Sequence, residues 1–427
     1  MFSATEYFSE LISRNKAGKG AGICSVCSAN ALVIAAAIRQ CQKSDKPLLV
    51  EATANQVNQY GGYTGMRPAD FVDYVQGIAE AQGFDPKHIL FGGDHLGPLV
   101  WAAEPEDAAM DKAEALVAAF AAAGFQKIHL DCSMQLGSDD PEDALPVRTV
   151  AERAARLAQA AESHCPAGIP PVYVVGSEVP IPGGATGHED TLAVTAPEAM
   201  REELAMFREA FLAKGLADAW KRVIAIVVQP GVEFGDNQVF LYDHGKAAAL
   251  AACALEYEHL TMEGHSTDYQ PTSCLTAMKQ DGIAILKVGP ALTFAVRSAL
   301  FALEAVERAV YAPLHPDGCS HFEEMLEDAM LAEPKNWVRH YHGSESELAL
   351  MRRYSLSDRC RYYLDADPVR QAQKRLLANL ADIPIPIGIL AQYFPRQCQE
   401  VLAGTLNPTP ENLILRQIQY VLETYEV

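Results

Sequence analysis

An Asp-His pair, Asp94 and His95, sits inside the run Gly-Gly-Asp-His-Leu-Gly-Pro at 92–98. A second histidine, His265, opens His-Ser-Thr-Asp at 265–268. With Glu178 these residues have the types that hold a divalent metal, zinc first. Two neutral imidazoles and a carboxylate leave a position for water or substrate. Asp94, Asp131 and Glu178 are carboxylates able to move protons. The amide-rich stretch at 51–59 offers Asn55, Asn58 and Gln59 as hydrogen-bond partners for sugar hydroxyls. Glycine pairs at 61–62 and 92–93 allow backbone N–H groups to approach an anion.

These residues are far apart in the chain, so the elements that carry them must converge. Eight short apolar runs recur, at 22–25, 48–51, 89–94, 127–131, 172–176, 223–228, 260–263 and 283–288. Rich in Val and Ile, they predict strands buried on both faces, as in a parallel sheet. Helical spacing fills 68–83 and 105–124. The Thr-x-x-Glu pairs Thr149/Glu152 and Thr195/Glu198 predict helix starts at capping boxes. Eight strand–helix units over about 20–310 predict a closed (β/α)8 TIM barrel, an α/β fold. A doubly wound sheet would place a glycine fingerprint after its first strand, and Ser-Val-Cys-Ser-Ala-Asn at 25–30 is none.

In such a barrel the chemistry lies at the C-terminal ends of the strands. Seven of the eight runs end in the polar residues above or their like. Late loops favour phosphate, which singles out Ser266, Thr267 and Gly289, with Lys287 beside them in the substrate-binding set. Residues 1–310 are read as the barrel. Residues 311–427 read as a helical C-terminal extension, with helices at 317–335, 345–363, 368–381 and 408–425. No Gly/Ser-rich linker precedes it, so it should pack on the barrel.

With 34 basic and 55 acidic residues in 427, the formal charge is −21, which disfavours nucleic acid and anionic membranes as partners. The first twenty residues have no apolar signal core, and no stretch is long enough to span a membrane, so a cytoplasmic protein is expected. The ten cysteines are scattered, as for reduced core residues. Cys24 and Cys27 form a C-x-x-C with no second pair to make a zinc ribbon. No phosphate loop is present: Gly-Lys-Gly-Ala-Gly at 18–22 lacks the spacing and the hydroxyl.

Long motifs at 22–28, 51–65, 92–98, 226–234, 265–270, 285–294 and 353–359 resemble the GatZ/KbaZ family across nearly the whole chain. The resemblance implies a TIM barrel. It also implies a role as the non-catalytic, stabilising subunit of a class II tagatose-1,6-bisphosphate aldolase, in galactitol or N-acetylgalactosamine catabolism. A catalytic aldolase chain would be its partner and a sugar phosphate its ligand. An older family label is tagatose 6-phosphate kinase. Against the catalytic class II aldolases, Asp94 matches the proton donor, and His95 and His265 match zinc ligands. The sixth run has no histidine, so Gln229 or Glu233 would have to replace one. The alternatives are a stand-alone metal-dependent aldolase or epimerase on sugars, or a kinase. The expected site has His95, His265 and Glu178 on the metal, Asp94 as acid/base, and Asn55, Gln59 and Asp131 orienting the sugar.

Overall fold

The computed structural model describes residues 3–44, 46–178 and 192–426. Eight parallel strands close into a barrel: β1 (Ile23–Cys27), β2 (Leu48–Thr53), β3 (Ile89–Leu96), β4 (Lys127–Leu130), β5 (Val172–Val175), β6 (Val223–Val227), β9 (Thr261–Gly264) and β10 (Ile283–Val288). A small antiparallel hairpin, β7 (Glu233–Phe234) and β8 (Val239–Phe240), rises from the loop after β6. Every barrel strand coincides with an apolar run to within two residues. β1 closes the ring against β10, with Ser25 opposite Lys287.

Residues two apart on a strand share a face. This periodicity sorts the barrel interior into layers. Ile23, Leu49, Leu90, Ile224 and Ile285, near the strand starts, form an apolar floor. The amphipathic helix Ala4–Arg14 plugs it from below with Phe8, Leu11 and Ile12. The sequence reading assigned no element there. Two residues further along the same strands come Glu51, Gly92 and Lys287, so the layer above is polar.

Two helix starts differ from the capping-box reading. One helix runs Val147–His164 with Pro146 as its N-cap, placing Thr149 in its first turn. The other runs Pro197–Ala213, and Thr195 lies just before its N-cap Ala196. In the second helix Pro197 stands at the first helical position, where its fixed φ suits the helix, while in the first Pro146 is the N-cap itself, in extended backbone.

Beyond the last barrel helix, Pro290–Val310, the chain forms Phe322–Ala332, Glu345–Tyr354, Asp367–Leu380, Ile387–Tyr393, Pro395–Leu402 and Pro410–Glu423. The two short helices after Pro386 lie between the expected helical ranges, each opened by a proline at its N-cap or first position. Helix Pro410–Glu423 lies against Pro290–Val310 and Ala31–Ser44. Its Leu413, Ile414 and Ile418 join the core between barrel and helices. No helix among the described residues is long and apolar enough to cross a membrane.

Candidate metal centre and barrel mouth

Above the apolar floor lies a buried lattice of charges. Lys127 Nζ stands 2.7 Å from Glu51 Oε1 and 2.7 Å from Glu263 Oε2, all three side chains being fully buried. Lys287 Nζ is 2.9 Å from Glu51 Oε2 and 3.5 Å from Glu263 Oε1, and it also contacts Asp94 Oδ1. Burial opposes charge on each group, but the opposite charges outweigh it. Both lysines are held above their ordinary range, and Glu263 and Asp94 are held below theirs. Gly92 makes the lattice possible, because a Cβ there would lie 2.5 Å from Glu51 Cγ.

Three histidines cap this lattice. The ring centroids of His95, His129 and His265 are 4.9–5.0 Å apart in all three pairs. One ligand atom from each, and one from Asp94, lie within 4.8 Å of one another. Each imidazole is gripped through one nitrogen. His95 Nδ1 is 2.7 Å from Asp131 Oδ2, His265 Nε2 is 2.9 Å from Glu263 Oε1, and His129 Nδ1 is 3.3 Å from Asp94 Oδ1. His129 Nε2 is buried and has no hydrogen-bond partner among the described residues. Asp131 behind His95 and Glu263 behind His265 orient those rings as carboxylates do for metal-ligating imidazoles, while His129 Nδ1 is met by the His95 backbone N–H (3.2 Å) and by Asp94, itself a member of the cluster. The residues therefore fit a divalent cation that accepts nitrogen and oxygen donors.

Local backbone serves the same end. His95 takes φ 47°, in the left-handed region that costs a non-glycine residue energy. At Gly97 a Cβ would fall 1.7 Å from the carbonyl oxygen of Asp131, so only glycine lets the two strand ends close on each other. Asp131 is itself fixed by the Ser133 N–H (3.1 Å) and hydroxyl (2.7 Å), and it is held low despite its burial by its bond to His95. Burial keeps His129 below its ordinary range. Burial, Lys287 and His95 together push His265 down to about 3, which favours neutral imidazole. His95 moves the other way: the Asp94 and Asp131 carboxylates overcome burial and raise it.

A cavity open to solvent lies over the centre. Asp94, His95, His265 and Lys287 form its base. Asn55, Tyr63, Ser266 and Asp268 line its walls, with Arg361, Tyr362 and Asp365 from the helical region.

The expected site residues divide on inspection. Asp94, His95, His265, Lys287, Asn55, Ser266 and Gly289 meet at this mouth. Asp131 lies beneath it, gripping His95, where it cannot reach a sugar. Glu178 is exposed and takes the Thr195 hydroxyl instead of joining the histidines. The run's Val179 and Pro180 lie outside the described residues. Gln59 donates its amide to the Lys112 carbonyl (2.9 Å), away from the cavity. Thr267 is fully buried and donates to the Lys287 carbonyl (2.6 Å). The Gly289 N–H is spent on Asp268 Oδ1 (3.0 Å). Gln229 Oε1 accepts the Gly231 and Val232 N–H groups, and Glu233 Oε1 accepts the Phe234 N–H, so neither replaces a histidine on β6. The third imidazole comes from β4. His129 lies between Lys127 and Asp131 with the inward alternation of a strand, a signal present in the sequence and not used. Cys24 and Cys27, three apart on β1, point to opposite faces and are free thiols.

A (β/α)8 barrel with a histidine–carboxylate centre at its strand ends is thus the class of protein. The chain belongs to the GatZ/KbaZ-like family, described as D-tagatose-1,6-bisphosphate aldolase subunit GatZ/KbaZ-like, whose model matches residues 8–427. It is similar to a solved structure from Sinorhizobium meliloti 1021, a probable tagatose 6 phosphate kinase, with 43% identity and TM-score 0.87. That match covers 95% of this chain and 99% of the other. A fructose-bisphosphate aldolase from Campylobacter jejuni shows a much fainter likeness: 13% identity and TM-score 0.42, over 89% of this chain and 93% of its own.

Proposed function

We propose that this chain is a cytoplasmic subunit of a class II tagatose-1,6-bisphosphate aldolase that stabilises and activates a catalytic partner chain in galactitol or N-acetylgalactosamine catabolism. The family match over residues 8–427 carries this reading. One observation favours a second reading, a stand-alone metal-dependent aldolase or epimerase on a sugar phosphate. Three inward imidazoles and an ionised Asp94 under an open cavity make a centre equipped to act.

In either case His95, His129 and His265 would hold the cation, zinc first, and Asp131 and Glu263 orient two of those rings. A bound divalent cation supplies Lewis-acid polarisation of a substrate carbonyl. Asp94, kept ionised by His95 and Lys287, is a proton acceptor at the base of the cavity. Asn55, on the cavity wall, would bond a sugar hydroxyl, and Ser266, also on the wall, a phosphate oxygen.

The test is cleavage of tagatose 1,6-bisphosphate by the purified chain, alone and with a class II catalytic chain, alongside metal analysis. The subunit reading expects no turnover alone and a raised rate or lifetime of the partner. Metal-dependent turnover by the isolated chain, lost in His129→Ala, establishes the second reading instead. Absence of metal uptake by the wild-type chain removes the metal centre from both.

A further inference from the structure

We propose that Arg361, supplied by the helical region and not by the barrel, is the specificity-determining residue that recognises the phosphoryl group of a ligand in the barrel mouth. This rests on the reading that the mouth binds a sugar phosphate.

Among the described residues one lysine and one arginine line the cavity, and they differ in what surrounds their charge. Lys287 is surrounded by Asp94, Glu51 and Glu263. Arg361 makes no ion pair with a carboxylate among the described residues. Its guanidinium donates to the carbonyls of Ser357 and Asp358 (2.9 Å) and to the Tyr362 hydroxyl (3.2 Å). In a chain of net charge −21, a half-buried guanidinium with no carboxylate in ion-pair contact among the described residues is a seat for an oxyanion.

The other place where an anion would settle is already taken. The N-terminus of the helix Pro290–Val310 faces the mouth, and such an end attracts phosphate. Here the buried carboxylate of Asp268 accepts the N–H groups of Gly289 (3.0 Å) and Ala291 (2.8 Å). The chain fills its own helix-end anion site and leaves Arg361 for the ligand.

Arg361 is held firmly enough for the task. Its segment is tied to the barrel by the buried Arg297 Nε–Asp358 Oδ1 pair (2.8 Å) and by the Tyr269 hydroxyl on the Leu356 carbonyl (2.6 Å). Ser355 and Ser357 both donate to Asp236 Oδ1 (3.0 Å each). Tyr362 packs edge-on against Tyr63 of the loop after β2, with centroids 4.9 Å apart, closing that side of the wall.

The experiment is calorimetric titration of the full chain with D-tagatose 6-phosphate, D-tagatose and inorganic phosphate. It uses wild type, Arg361→Gln and Arg361→Lys, with metal content and Tm of each variant recorded. The expected result is wild-type preference for the phosphorylated sugar by tenfold or more, abolished in Arg361→Gln and partly restored in Arg361→Lys, with metal content unchanged. Inorganic phosphate competing at similar strength would show that the phosphoryl group alone suffices. Much weaker competition would assign the whole phosphomonoester, and both outcomes keep Arg361 as its partner. Arg361→Gln retaining the preference within twofold overturns the proposal while leaving the mouth as the binding site. A wild-type chain that binds neither phosphate ligand overturns it as well, with the subunit reading still decided by partner activation. If Arg361→Gln does not fold, an Arg361→Lys variant with wild-type Tm and an undiminished preference, together with no competition by phosphate in wild type, is the refuting result.

Discussion

Replacing Lys127 by Met isolates the contribution of the charged lattice. The substitution keeps the length of the side chain and removes its charge. Lys127 is fully buried and stands 2.7 Å from a carboxylate oxygen of both Glu51 and Glu263. Without it, Lys287 is the lysine left facing Glu51, Glu263 and Asp94. Breaking a buried pair by removing one partner costs about 3–5 kcal/mol, because a desolvated charge is left uncompensated. Unfolding entropy of roughly 2.1 cal/mol/K per residue over this length gives about 0.9 kcal/mol/K, so the loss should read as a Tm lower by about 3–6 °C. Differential scanning calorimetry of wild type, Lys127→Met and Lys127→Met/Glu263→Gln is the assay. The double variant removes one of the stranded carboxylates and should recover part of the loss. A Lys127→Met chain within 1 °C of wild type, or a double variant less stable than the single one, would refute the view that these ions depend on one another.

Gly97→Ala should cost several kcal/mol, because its Cβ would overlap the Asp131 carbonyl at 1.7 Å. Displacing Asp131 should also weaken metal uptake through His95, so wild-type Tm and metal content together would contradict it. Asp268 is raised to about 6 by burial, which outweighs the N–H bonds it accepts from Ala291 and Gly289. Its native carboxyl therefore binds a proton more tightly than the unfolded one. The resulting cost of ionisation is absent below pH ~4 and complete above pH ~6, on the order of 2–3 kcal/mol. The Tm difference between Asp268→Asn and wild type should accordingly shift in favour of the variant, by about 3 °C, from pH 4 to pH 7. A difference that does not change over that range would show that the carboxyl is not so shifted.

The strands were legible because a strand buried on both faces must be apolar throughout, and eight such runs spaced by helical segments admit few architectures. Asp94, His95 and His265 were legible for a related reason, since polar residues at the end of such a run have nowhere to go but the rim. What a strand end does not reveal is direction. Glu178 satisfies the same positional rule, yet its carboxylate turns to the hydroxyl of Thr195, seventeen residues away. His129 sits two residues inside the run that ends at Asp131. Only the alternation of Lys127, His129 and Asp131 shows that all three face inward, one layer apart. Arg361 carried no local signal at all. Its place over the mouth depends on Asp358 meeting Arg297, 61 residues earlier, and on Ser355 and Ser357 meeting Asp236, 119 and 121 residues earlier. Sequence pattern reports what a backbone element requires of its own side chains. The barrel rim obeys such requirements, and the wall contributed by the helical region is set by long-range pairs that no local pattern encodes. The motif segment at 353–359 has its physical meaning there: it holds Arg361 in position and does not itself line the cavity.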